Sequence, residues 1–150
     1  MRIFVDADAC PVKPEAVRVA RRYGIELTFV SNSWMRLPEE WGAALKVVDG
    51  QFDAADDWIV GQVRKDDIVV TADIPLAHRC IKAGARVIGT HGQLFTDVNI
   101  GSILATRDLL HTLRGAGEIT GGPAPFRNEG RSRFLQGLDQ AVQSIKQNRS

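Results

Sequence analysis

Short apolar runs alternate along this chain with segments of helical spacing, and that alternation restricts the fold more than any other feature. Arg2 to Val5 reads as a buried strand ending at Asp6. Pro14 then stands where a first helical turn tolerates proline, and Ala16, Val17, Ala20 and Tyr23 keep helical spacing up to Gly24. Ile25 to Val30 is a second strand, so strand, helix and strand close within about thirty residues, the size of a βαβ unit. The pattern continues with a strand at Lys46 to Val48, a helix from about Asp53 to Arg64, and a strand at Ile68 to Thr71. A helix at Ile74 to Ala83 and a strand at Ala85 to Gly89 follow. Ile100, Ile103, Leu104, Leu110 and Leu113 mark a further helix, and Phe134, Leu135, Leu138, Val142 and Ile145 mark a C-terminal one. Strands of this kind between helices predict an α/β fold of three layers, with a mostly parallel sheet of about five strands and helices on both faces. Residues 1–150 are expected to form a single domain, interrupted by a Gly/Pro/Arg-rich loop near 115–130.

Composition excludes several alternatives. With 44% hydrophobic and 25% charged residues, the 150-residue chain can build one sizeable core without staples. No apolar run approaches the ~20 residues that span a bilayer, and Asp6 and Asp8 interrupt any signal-peptide pattern. Cys10 and Cys80 are the only cysteines and make no disulfide framework. A cytoplasmic protein with no membrane partner is the expectation, its oligomeric state open. The formal net charge of +1 argues against a strongly basic nucleic-acid coat, although residues 114–150 carry six basic and three acidic side chains.

The acidic residues are informative because ligands of open parallel sheets bind at the carboxyl ends of the strands. Asp6 and Asp8 follow the first strand, Asp73 follows the fourth, and Asp97 lies a few residues beyond the fifth. Asp53, Asp56 and Asp57 start a helix whose first turn should face the same rim. Two unit charges ~4 Å apart repel by about 4 kcal/mol at an effective dielectric of 20, so protons or cations must offset the crowding. Oxygen ligands without a His/Cys cluster favour Mg²⁺ or Mn²⁺. Asp53 and Asp73 also suit helix N-caps, a purely structural role. Asp6 has no such substitute role, and Asp56 borders the buried stripe of its helix.

The segments Val5-Asp6-Ala7-Asp8-Ala9-Cys10-Pro11-Val12-Lys13, Asp53-Ala54-Ala55-Asp56, Ile68-Val69-Val70-Thr71-Ala72-Asp73-Ile74-Pro75-Leu76-Ala77 and Gly121-Gly122-Pro123 with Phe126 resemble the bacterial YaiI/YqxD family over nearly the whole chain. That family is similar to the PIN-like nuclease superfamily, whose motif order is matched by Asp6, Asp56 and Asp73. The resemblance implies metal-dependent phosphodiester cleavage, usually in RNA. Neither Glu39 nor Glu40 clearly matches the superfamily's usual extra acidic residue, and the C-terminal Gly/Pro/Arg segment is not a general feature of it. Asp6-x-Asp8 after a strand also resembles haloacid dehalogenase-like phosphatases, but Asp56-Asp57 precedes Thr71 here, the reverse of their motif order.

A nuclease of this kind would use Asp6, Asp56 and Asp73 for catalysis. Its Mg²⁺ or Mn²⁺ would be held by these three, with Asp8, Asp53 and Asp97 as further ligands or supports. Arg127, Arg131 and Arg133 would clamp substrate phosphates, single-stranded or structured RNA being the expected partner. A non-catalytic nucleic-acid-binding or regulatory module on the same fold is the alternative. Trp34 and Trp41 flank the loop after the second strand, where packing or a dimer surface is the first expectation and base stacking the second. Cys10 has acidic neighbours and is not expected to be a nucleophile. His78 and His91 complete no triad.

Overall fold

Ile3, Phe4 and Val5 are apolar on both faces of a strand, and only a sheet covered on both sides can bury all three. In the computed structural model, which describes residues 1–49, 54–103 and 127–149, they do so in β1 (Arg2–Asp6). A 3₁₀ turn (Ala7–Ala9) leads to α1 (Lys13–Tyr23), β2 (Glu26–Ser31), a second 3₁₀ turn (Glu39–Trp41) and β3 (Ala44–Val47). Then come α2 (Ala54–Gln62), β4 (Ile68–Val70), α3 (Ile74–Lys82), β5 (Arg86–Ile88) and β6 (Leu94–Phe95). Residues 97–103 are helical (α4), and α5 (Asn128–Arg149) closes the described chain. Pro14 sits in the first turn of α1, and Gly24 ends that helix in the left-handed conformation at φ +63°.

The sheet has six strands in the order β3-β2-β1-β4-β5-β6. Strands β1 to β5 are parallel, and β6 runs antiparallel to β5. Side-chain alternation splits the core in two. Ile3, Val5, Phe29 and Val70 pack with α1 and with Phe134, Leu138, Val142 and Ile145 of α5. Phe4, Val30, Val69 and Val87 pack with Ile59, Leu76, Cys80 and Ile100 of α2, α3 and α4. This is the three-layer α/β arrangement, and no helix among the described residues is long and apolar enough to cross a membrane.

One strand departs from the sequence expectation. The reversed strand β6 is only two residues long, too short to show alternation, and it follows a tight turn in which the Gly89 N–H donates to the Gln93 carbonyl at 2.8 Å. At Gly92, φ is +86° and the backbone lies against α5, where a Cβ would stand 2.2 Å from the Arg133 carbonyl oxygen. Gly137 completes the crossing, since its Cβ would stand 2.5 Å from the Gly92 carbonyl oxygen.

At the amino edge, Asp67 ties the two central strands together. It accepts the Arg2 backbone N–H at 3.0 Å, the Arg2 guanidinium at 2.8 Å and the Arg64 N–H at 2.9 Å. The expected 115–130 loop lies outside the described residues up to position 126, and Asn128 onward belongs to α5. Gly121-Gly122-Pro123, Phe126 and Leu104 to Leu113 are also outside them.

Candidate active site

The strand order reverses between β1 and β4, and the carboxyl ends of those strands are where such a sheet opens a crevice. Val5 pairs with Val70, so Asp6 and Thr71 come next, side by side. Both lie two residues beyond Phe4 and Val69, on the α2/α3 side of the sheet. The buried Thr71 Oγ1 donates to Asp6 Oδ2 at 3.0 Å and accepts the Asp73 N–H at 3.0 Å. Asp73 Oδ1 in turn accepts the Leu76 N–H at 3.1 Å, capping α3. Asp73 is therefore the helix cap that the sequence allowed, and one of its oxygens remains uncommitted to that cap.

Asp8 is held differently. Its Oδ1 accepts the Ser31 hydroxyl at 2.5 Å, and its Oδ2 accepts the Asn32 N–H at 3.1 Å and the Asn32 side-chain amide at 3.0 Å. Both oxygens fasten the turn after β2 to the turn after β1. Ser31 and Asn32 escaped sequence reasoning, although their position at the end of the strand beside β1 is the signal that could have found them. Asp56 lies half-buried in the first turn of α2, and its field reaches the Cys80 thiol of α3, as does that of Asp6. Asp6, Asp8 and Asp73 thus share the rim, while Asp56 is tied by its described surroundings to Cys80.

The electrostatics follow from this crowding. Burial raises the Asp6 carboxyl above its ordinary value of 3.8. The Thr71 hydrogen bond opposes that rise, and the charges of Asp8 and Asp73 add to it. Burial also raises Cys10, and it pushes Cys80 up to about 12. Both shifts disfavour the thiolate, in the direction expected for Cys10.

Two expected members stand elsewhere. Asp97 opens α4 just after β6, and because β6 runs backward it arrives at the amino edge, sharing a cleft with Ala85 and Arg86. The expectation that it borders the carboxylate rim fails because β6 was not foreseen. Arg131 is also diverted. Its Nη1 donates to Glu15 Oε1 at 2.8 Å and to the Pro11 carbonyl at 2.6 Å, bolting α5 to the start of α1. Arg127 and Arg133 are exposed at the beginning of α5, the end nearest the carboxyl edge of the sheet. Asp53 lies outside the described residues.

Among the described residues, no three His, Cys, Asp or Glu side chains are grouped closely enough to cage a metal ion. Mg²⁺ does not require such a cage. It commonly keeps several waters and takes one or two carboxylates plus substrate phosphates. Asp6 and Asp73 each have an oxygen outside the Thr71 and Leu76 hydrogen bonds, and the excess of negative charge at Asp6 is what a cation relieves. An open, two-carboxylate site fits these residues, and a closed protein cage does not.

A 49% identical "UPF0178 protein" of Nitrobacter winogradskyi aligns over 97% of this chain and 93% of its own length. Another from Rhodospirillum centenum is 49% identical over 98% of both chains, and one from Brucella ovis is 51% identical over 96% of this chain and 90% of its own. No solved structure matches the chain significantly. The family model described as "Uncharacterized BCR, YaiI/YqxD family" matches residues 4–144, from β1 into α5, and the chain belongs to that family.

Proposed function

We propose that the protein is a metal-dependent phosphodiesterase acting on RNA. The observation that carries this reading is the Asp6–Thr71–Asp73 bridge at the reversal of strand order, where burial and like charge leave Asp6 short of a cation. Asp6 and Asp73 would hold Mg²⁺ or Mn²⁺, with Asp56 of α2 as the third carboxylate of the proposed set. When bound, such an ion supplies positive charge for the phosphate oxygens and a water acidic enough to attack near neutral pH.

The remaining work belongs to the chain. The Thr71 hydroxyl fixes Asp6 and the backbone of Asp73 relative to each other, leaving one oxygen of each carboxylate outside these hydrogen bonds. Asp8 supports the turn after β2 instead of joining them, because both of its oxygens are occupied. A phosphatase in which Asp8 serves as acid and base is disfavoured for that reason. Arg127 and Arg133 are the arginines left to contact phosphate, while Arg131 serves Glu15.

Thermal unfolding with and without Mn²⁺ or Mg²⁺ tests the reading. At ~100 times its dissociation constant an ion adds about 2.7 kcal/mol, which for a chain of this size raises Tm by roughly 5–10 °C. The gain should vanish in Asp6→Asn and Asp73→Asn and persist in Asp8→Asn. RNA cleavage should follow the same order of variants. An unchanged Tm with metal, or cleavage surviving in Asp6→Asn, would end the proposal, and a metal response without cleavage of any RNA would favour the non-catalytic module.

A further inference from the structure

The three tryptophans of the chain divide sharply. Trp41 packs on Phe29 with ring centroids 5.9 Å apart, and Trp58 meets Phe4 edge-on at 5.9 Å with the Lys46 ammonium 5.8 Å above its ring. Trp34 has no such partner among the described residues and is 73% exposed. It therefore fills no part of the core. It forms one wall of a groove of about 820 Å³, with Leu37 and Leu45 also lining it and Arg36, Glu39 and Glu40 as its charged members.

The position of Trp34 ties this groove to the rim. Asn32, two residues earlier, is bonded through its backbone and side chain to Asp8. Consecutive α-carbons are ~3.8 Å apart, so Trp34 starts within about 8 Å of that anchor. An aliphatic protein surface would bury Arg36, Glu39 and Glu40 without partners, a costly exchange. A nucleobase suits the same groove. Its face stacks on indole, while its edge offers N–H donors to carboxylates and ring acceptors to a guanidinium. Glu39 and Glu40 repel phosphate, which directs the base into the groove and leaves the backbone outside it. Only an unpaired base can be splayed out to stack in this way.

We infer that Trp34 is the stacking platform for one unpaired base of a single-stranded RNA whose adjoining phosphate lies at the Asp6–Asp73 rim. This assignment rests on the phosphodiesterase reading and adds strand selectivity to it. Because the Trp34 side chain is mostly exposed, Trp34→Ala and Trp34→Phe should both fold as the parent does.

The test is the fluorescence anisotropy of a short labelled single-stranded RNA and of a blunt-ended RNA duplex, in the Asp6→Asn background to prevent cleavage. Trp34→Ala should weaken single-strand binding by about tenfold, Trp34→Phe should restore most of it, and duplex binding should be the same in all three. Equal single-strand affinity in Trp34→Ala would overturn the stacking role. The metal response and cleavage lost through Asp6 would then still stand on their own. A dimer seen by sedimentation in the parent and lost in Trp34→Ala would overturn it too, making the indole a contact between copies. RNA binding that depends on Trp34 in a protein with no metal response and no cleavage would refute the phosphodiesterase reading, and with it the placing of phosphate at the rim.

Discussion

Replacing Gly137 by alanine puts a methyl group into the close crossing of α5 over the β5–β6 turn. The new Cβ would stand 2.5 Å from the Gly92 carbonyl oxygen and 2.9 Å from its Cα. Ordinary contact begins near 3.4 Å, so α5 must lift by roughly 0.9 Å or the β5–β6 turn must retreat by as much. Neither is free to do so. Phe134 and Leu138 on the same helix are fully buried, and Gly92 is held at φ +86° between Gly89 and α5. Overpacking of this kind costs about 1–3 kcal/mol, and the higher helix propensity of alanine returns about 1 kcal/mol. A net loss of up to about 2 kcal/mol lowers Tm by up to roughly 8 °C in a chain of this size. Gly61 of α2 supplies the control, because a Cβ there meets nothing within 4 Å. Gly61→Ala should gain up to about 1 kcal/mol and raise Tm by roughly 2–4 °C. Thermal and urea unfolding of the two variants side by side should give shifts of opposite sign. If Gly137→Ala rises with Gly61→Ala, the close crossing does not constrain α5 and the reasoning fails.

Three other perturbations are equally direct. Asp6 has a raised carboxyl, so its contribution to stability is fully present below its unfolded value near 3.8 and is lost as pH rises through the higher folded value. In the absence of divalent metal, Asp6→Asn should therefore gain stability over the parent at pH 7 and lose that advantage near pH 3. A pH-independent difference in Tm would contradict the assignment. Arg131→Ala leaves Glu15 largely buried, its Oε2 already without a hydrogen-bond partner among the described residues, and should cost about 1–3 kcal/mol by urea unfolding. Adding Glu15→Gln should recover part of that loss, and no loss in Arg131→Ala would show the bolt to be idle. Cys10 and Cys80 are buried and shifted upward, so a thiol-specific reagent at pH 8 should label neither in the native protein and both after unfolding. Rapid native labelling of Cys80 would mean that α3 opens more easily than its packing implies.

The parallel strands were legible because Ile3-Phe4-Val5 and Ile68-Val69-Val70 must be covered on both faces, and the carboxylates ending those runs were legible with them. β6 was not, since Leu94-Phe95 is too short to have a period, and Asp97 was misplaced as a direct result. The hydrogen bonds of Asp8 to Ser31 and Asn32 depend on how β1 lies beside β2, which spacing along one chain does not specify. Arg131 looked like a phosphate ligand because its partner Glu15 is 116 positions away and bears no local mark. Trp34 and Trp41 look alike in sequence. Only the packing of Phe29 against one of them separates a core ring from an exposed one.

Asp67 and Asp6 are the acidic residues at opposite ends of the same pair of central strands, and their neighbours treat them differently. Asp67 has an arginine and two backbone amides to answer its charge, while Asp6 has a hydroxyl and two other carboxylates nearby. Selection for heat resistance alone would therefore act on the two in opposite directions. A library evolved only to survive heating should keep Asp67 and discard Asp6 early, whereas a library also required to keep its cellular role should retain both. The position at which those two lineages first diverge would mark where this fold gives up stability for the sake of use.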